Sequence, residues 1–150
     1  MKRNIDLNMS LSENFTLREF VNSATALRKG INNTPSWQHV LALQNLCRMV
    51  LQPLRNAFGP IHINSGYRSP ELNEAVHGVG MSQHLKGEAA DIHLPSREMG
   101  RKYYQFIRDH CPYDQLLFEY SRGGIVWIHV SCKRDLTLNR NMHIPNYFAR

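Results

Sequence analysis

The sequence predicts an α+β fold, a small and mostly antiparallel sheet with helices packed on one side, and three observations carry the prediction. Residues 34–58 hold their apolar side chains at helical spacing. Four short stretches, 61–64, 88–93, 115–120 and 125–130, read as strands by alternation or β-rich composition, and the last two flank a turn sequence. With 150 residues, 42% hydrophobic and 20% charged, the chain has the composition of one globular domain spanning 1–150, long enough to bury a core.

In order, Phe15, Leu17, Phe20, Val21 and Ala24 suggest a short helix from Asn14 to Ala26. Thr34-Pro35 is a helix start, a capping hydroxyl before proline at the first helical position. Trp37, Val40, Leu43, Leu46, Val50, Leu54 and Phe58 continue that helix; Pro53 predicts a kink or break, and Gly59-Pro60 an end. Ile61-His62-Ile63-Asn64 alternates as a strand. Ser69-Pro70 caps a helix over 70–76, and Gly78 and Gly80 mark a loop. Glu88–His93 reads as a strand, and Ser96 caps a helix reaching Asp109 with Met99, Tyr103, Phe106 and Ile107 on its apolar side. Gln115–Tyr120 and Ile125–Val130 form a hairpin around Ser121-Arg122-Gly123-Gly124. The tail from Lys133 to Arg150 is polar and has no clear period.

Eighteen Lys+Arg against twelve Asp+Glu give a formal charge of +6, which favours an anionic partner: nucleic acid, a membrane surface or a wall polymer. No run is long enough to span a membrane, and the start Met1-Lys2-Arg3-Asn4-Ile5-Asp6-Leu7-Asn8 lacks a signal peptide's apolar core, so synthesis in the cytoplasm is expected. Cys47, Cys111 and Cys132 include no C-x-x-C and read as reduced thiols. The eight histidines are individually uninformative. His84 and Asp91, however, lie in Ser82-Gln83-His84-Leu85-Lys86-Gly87-Glu88-Ala89-Ala90-Asp91. Gly87 allows a sharp turn and Ala89 and Ala90 a close backbone approach, so the two side chains can converge. Strand alternation places His129 with Trp127 and Ile125 on the face opposite Val126, Ile128 and Val130.

Ser65-Gly66-Tyr67-Arg68-Ser69, then Ser82-x-His84-x-x-Gly87-x-Ala89-x-Asp91, then Trp127-Ile128-His129-Val130-Ser131 together resemble the zinc D-Ala-D-Ala carboxypeptidase family. Its wider group includes vancomycin-resistance D,D-dipeptidases, phage L-alanyl-D-glutamate endolysins and the hedgehog signalling domain. The likeness runs from about residue 61 to 131, and Phe15-Thr16-Leu17-Arg18-Glu19-Phe20 resembles the start of small phage-like and bacterial members. It implies a hedgehog/DD-peptidase-like fold and one Zn²⁺ held by His84, Asp91 and His129. Two imidazoles and a carboxylate suit zinc and leave a fourth position open, as a catalytic site requires. The resemblance also makes Arg68 the substrate-binding and oxyanion-stabilising arginine, with Ser82, Gln83 and Tyr67 as further substrate-binding candidates.

Better-known members carry an acid three residues before the last histidine ligand, where this chain has Val126. Small members with Asp-Gln-Leu-x-x-Glu ahead of Trp-x-His resemble the present pattern and point to Glu119 as general base, with Asp114 and Glu88 as fallbacks. Hairpin register decides: pairing Glu119 with Trp127 or His129 puts it on the zinc face, and pairing it with Val126 turns it away. His93 shares a strand face with Asp91 and is a candidate support for the ligands, whereas His62, His77, His110 and His143 read as structural or surface residues. Trp127, Tyr67 and Tyr120 can line the cleft or pack the core.

The resemblance implies a zinc metallopeptidase of peptidoglycan stem peptides, most closely a D-Ala-D-Ala carboxypeptidase, expected as a monomer. An L-Ala-D-Glu endopeptidase of endolysin type and a non-catalytic zinc-binding recognition module are the alternatives, the latter kept open by Val126. A nucleic-acid-binding protein or nuclease ranks last, because neither a recognition helix nor an acidic Mg²⁺ cluster is present. A wall substrate and a cytoplasmic start together fit release of the phage-lysis type.

Overall fold

The computed structural model describes residues 4–149; the Met1–Arg3 start and Arg150 of the sequence reading lie outside the described residues. The architecture is α+β. A two-stranded sheet, β1 (Ser10–Ser12) and β2 (Phe15–Thr16), precedes α1 (Leu17–Val21) and α2 (Ala24–Lys29). A long helical stretch follows, formed by α3 (Trp37–Leu46), a π-helical turn (Cys47–Leu51) and α4 (Gln52–Phe58). The remainder is β3 (Ile63–Ser65), α5 (Pro70–Ala75), a 3₁₀ turn (Gln83–Lys86), β4 (Ala89–His93), α6 (Arg97–His110), β5 (Gln115–Tyr120), β6 (Val126–Ser131), a 3₁₀ turn (Leu136–Leu138) and β7 (Met142–Phe148). The main sheet has order β3-β4-β6-β5-β7, antiparallel except for the parallel β5–β7 pair.

Three expectations need correction. The helix expected over Asn14–Ala26 is a strand and two short helices. Thr16 and Glu19 form a capping box that starts α1, and Ser23 accepts a hydrogen bond from the Ala26 amide, which starts α2 after the extended Asn22. Polar caps at 16 and 23 thus override a continuous apolar period. The long helix begins two residues after Thr34-Pro35, where Ser36 caps it and His39 Nδ1 accepts from the Ser36 amide at 3.0 Å. The tail is not irregular throughout. Its Met142–Phe148 stretch is an edge strand, and partial exposure on both faces removes the alternation that marks a strand.

Pro53 lies within a continuing helix because the turn before it is widened. The Gln52 amide bonds Cys47, five residues back, and this π-helical turn immediately precedes the proline. Gln52 also faces the N-terminal strands. Its Oε1 accepts from Ser12 Oγ and the Asn14 amide, and its Nε2 donates to Asn14 and Asn56.

Sheet parity separates core from site. Ala90 and Ile92 of β4, Ile128 and Val130 of β6, and Leu116 and Phe118 of β5 are buried and share one hydrophobic core with Leu43, Leu46, Val50, Leu54, Tyr103 and Ile107 of the helices. Asp91, His129 and Glu119 stand on the opposite face, since residue neighbours along a strand point to opposite sides. No described helix is long and apolar enough to cross a membrane, and the three cysteines form no disulfide.

Candidate metal centre

Local rules bring His84 and Asp91 together. Ser82 Oγ accepts from the His84 amide at 3.2 Å and starts the 3₁₀ turn, and Gly87, at φ 74°, reverses the chain into β4. A Cβ at Gly87 would sit 2.8 Å from the His39 carbonyl oxygen, so both its conformation and its space exclude larger residues. Ala89 and Ala90, fully buried, let β4 lie between β3 and β6. Register then pairs Asp91 with His129 across β4 and β6.

Asp91 Oδ1 lies 3.3 Å from His84 Nε2 and 3.2 Å from His129 Nδ1, and one donor atom from each of the three residues falls within 4.8 Å of the others. Each ring is anchored by its other nitrogen. His84 Nδ1 donates to the Gly66 carbonyl at 2.6 Å, and His129 Nε2 donates to Gln83 Oε1 at 3.2 Å. That leaves His84 Nε2 and His129 Nδ1 with lone pairs toward Asp91, the tautomers that a bound cation needs. The donor set of two imidazoles and one carboxylate fits Zn²⁺. Burial opposes ionisation of Asp91, but the two rings facing it, His84 foremost, hold its carboxyl well below the usual carboxylate range whenever they carry protons on the nitrogens turned toward it.

Arg68 borders this group. Its Nη2 is 3.5 Å from Asp91 Oδ2, its Nη1 donates to Asn73 Oδ1 at 3.1 Å and its Nε to Ser65 Oγ at 3.2 Å. Burial lowers its affinity for the proton, while Asp91 and Glu119 work the other way. The loop that carries it is tied to the ligands, because the Arg68 amide bonds the His84 carbonyl. Asn33, which the sequence reading passed over, brackets the same loop: it donates to the Val21 and Tyr67 carbonyls and accepts from the Ser69 amide.

Glu119 pairs with Trp127 in the hairpin, so it shares the face of His129 and Asp91. Trp127 Nε1 donates to Glu119 Oε2 at 2.6 Å. Burial, followed by the negative charge of Asp91, raises the Glu119 carboxyl above its ordinary value, against the pull of His129, Trp127 and Arg68. A carboxyl poised this way on the face of the two histidines and Asp91 has the electrostatics of a proton carrier.

The other sequence candidates have different surroundings. Gln83 has both ends engaged within the protein, accepting from His129 and donating to Asp114 Oδ2. Ser82 caps the 3₁₀ turn. Tyr67 is buried, its ring 4.5 Å from that of His39. Asp114 is fully buried and lies outside the metal group: despite burial, hydrogen bonds from Arg140 hold it at about 2, helped by Gln83. Glu88 forms a 3.6 Å ion pair with Lys133. His93 is exposed and its ring meets His62 at 5.9 Å, and Tyr120 packs on Phe148. The line Arg140–Asp114–Gln83–His129 was not legible in the sequence, since Arg140 lies in the stretch without a period.

A half-buried carboxylate and two oriented imidazoles beside an arginine and a carboxyl of raised proton affinity make a group whose chemistry suits metal-assisted hydrolysis. The family profile of Peptidase M15 matches residues 13–131, and the chain belongs to that family. Its zinc-dependent peptidase character follows from that membership and accords with the His84–Asp91–His129 group. No curated protein matches the chain closely enough to add to this.

Proposed function

We propose that this peptidase hydrolyses amide bonds in peptidoglycan stem peptides, with D-Ala-D-Ala carboxypeptidase-type cleavage as the specific reaction. The observation that carries the reading is the placement of Glu119 on the face of His84, Asp91 and His129, with Arg68 at the group's edge. His84, Asp91 and His129 would hold zinc, which would acidify a water and polarise the scissile carbonyl. Glu119 takes a proton at its carboxylate as water attacks and returns it to the departing amine. Trp127 fixes the rotamer of that carboxylate through Oε2 and leaves Oε1 for the exchange. Arg68, held by Ser65 and Asn73, keeps a fixed positive charge where the carbonyl oxygen becomes negative. Glu119 supplies the acid that Val126 lacks, and this favours the catalytic reading over a zinc-binding module.

The test incubates purified protein with peptidoglycan and defined stem peptides, with chelator and with zinc restored, and identifies fragments by mass spectrometry. Loss of one terminal alanine, abolished by chelator, by His84→Ala and by Glu119→Gln, is expected. An internal cut would replace the carboxypeptidase assignment by the endopeptidase one. Tight binding of one zinc without any cleavage would establish the binding module instead.

A further inference from the structure

On the sheet face away from the metal group, α6 carries a second constellation. Arg97, Arg101, Tyr104 and Arg108 stand at i, i+4, i+7 and i+11, one stripe of the helix. With Phe118 and the β7 residues Pro145 and Asn146 they line a groove of about 420 Å³. An irregularity in β7 shapes its far wall. Leu117 pairs with Ile144 and Glu119 with Tyr147, so Pro145 and Asn146 stand opposite Phe118 alone. Two residues against one bend a strand and re-aim its side chains, as bulges do beside binding sites. The floor is fixed, because Phe118 is buried and a Cβ on Gly100 would come within 2.6 Å of Leu94 and 2.9 Å of the Phe118 ring.

No acid lines this groove. Arg108 is paired with Asp109, and neighbouring Lys102 with Glu98, but Arg97 and Arg101 have no acidic partner among the described residues. Tyr104 adds an independent sign of a ligand. It is 7% exposed, it lines the groove, and its hydroxyl is buried without a hydrogen-bond partner among the described residues. Such a hydroxyl has lost its water and gains from any acceptor that a small ring movement brings within reach.

We propose that this groove binds the phosphates of a polyol-phosphate chain, the chemistry of an anionic wall polymer. The wall origin rests on the function proposed above, and the phosphate chemistry does not. Guanidinium forks match phosphate oxygens in pairs. Four residues of helix separate Arg97 and Arg101 by ~6 Å along the axis, suited to neighbouring phosphates of an extended chain. The rings at hand, Tyr104 and Phe118, are buried, so the groove offers no exposed face for stacking nucleic-acid bases.

The test is calorimetric titration of the whole zinc-loaded protein with a glycerol-phosphate polymer, with a single-stranded oligothymidine of matched charge as the comparison. Arg97→Gln/Arg101→Gln is expected to weaken polymer binding at least tenfold and to flatten its salt dependence. Arg28→Gln/Lys29→Gln, an equal loss of charge on α2, is expected to change it less than twofold. Tyr104→Phe keeps the ring and is expected to weaken binding severalfold. Equal losses in the α2 and α6 variants, or tighter binding of the oligothymidine, would overturn the proposal. Cleavage of a soluble stem peptide serves as a separate readout, unchanged in the α6 variant. If that cleavage is missing in every form while polymer binding follows the expected pattern, the peptidase reading fails and the phosphate site stands.

Discussion

Replacing Gln83 by leucine tests whether the line behind His129 sets the metal site. Leucine has nearly the volume of glutamine but neither accepts the proton of His129 Nε2 nor donates to Asp114 Oδ2. Asp114 keeps its bonds from Arg140, so the fold loses two hydrogen bonds, the charge-assisted one to Asp114 and the neutral one from His129, and gains some apolar burial. A net cost of about 1–2 kcal/mol follows, which for a chain of this size lowers the melting temperature by roughly 3–6 °C. The larger effect falls on the metal. With Nε2 unanchored, the imidazole is free to rotate or to take the tautomer that places the proton on Nδ1, the nitrogen 3.2 Å from Asp91. Loss of such an outer hydrogen bond weakens metal affinity by about 10–100-fold. Competition with a chromophoric chelator measures the zinc affinity, and melting of the metal-free and zinc-loaded forms separates it from stability. Zinc affinity within twofold of wild type, with the metal-free protein destabilised as expected, would refute the reasoning and leave Gln83 as a packing residue.

Glu119→Gln keeps shape and removes proton transfer, so kcat should fall by about 10²–10⁴ while chelator competition still reports wild-type zinc affinity. Trp127→Phe removes the N–H that favours the ionised form of Glu119; its carboxyl should rise further, moving the acidic limb of the kcat/KM profile to higher pH. Gly66→Ala places a Cβ 2.7 Å from the Phe20 carbonyl oxygen and 2.8 Å from its Cα. Differential scanning calorimetry should show about 1–3 kcal/mol of destabilisation, with weaker zinc binding because the Gly66 carbonyl holds His84. Asp114 has its folded-state proton affinity depressed to about 2, from the ordinary aspartate value of 3.8. Its ionised form therefore contributes stability that is complete above the unfolded value and disappears as pH falls through the interval between the two. Acid unfolding of metal-free Asp114→Asn should lack that component, which comparison of pH-dependent melts will show.

Local geometry made one part of the candidate site legible, the approach of His84 to Asp91. Gly87 and the small residues at 89 and 90 allow the two to converge. The reading of these two with His129 as metal ligands rests on the likeness of three motifs to a known family, and the His39 carbonyl oxygen that leaves no room for a Cβ at Gly87 is far away in sequence. Strand alternation likewise separates His129 from Ile128 and Val130, whose burial in the core shows which side is which. The N-terminal helices failed for the converse reason. There the apolar period continued through Thr16 and Ser23, and only the capping hydrogen bonds reveal that the chain breaks at both points.

Strand pairing is what sequence reading left open, and the β5 strand illustrates why it matters. A shift of one residue between β5 and β6 would turn Glu119 into the core and Phe118 into the cleft, since neighbours along a strand face opposite ways. The apolar set decides the register: Leu116 and Phe118 must meet Ile128 and Val130, and the Glu119–Trp127 pair follows. The same constraint does not extend to β7, which is partly exposed on both faces and accepts an extra residue opposite Phe118. Core packing thus places the carboxyl without any acid at position 126, while relaxed packing one strand further out opens the arginine-lined groove. One strand serves two surfaces because its two faces answer to different degrees of burial.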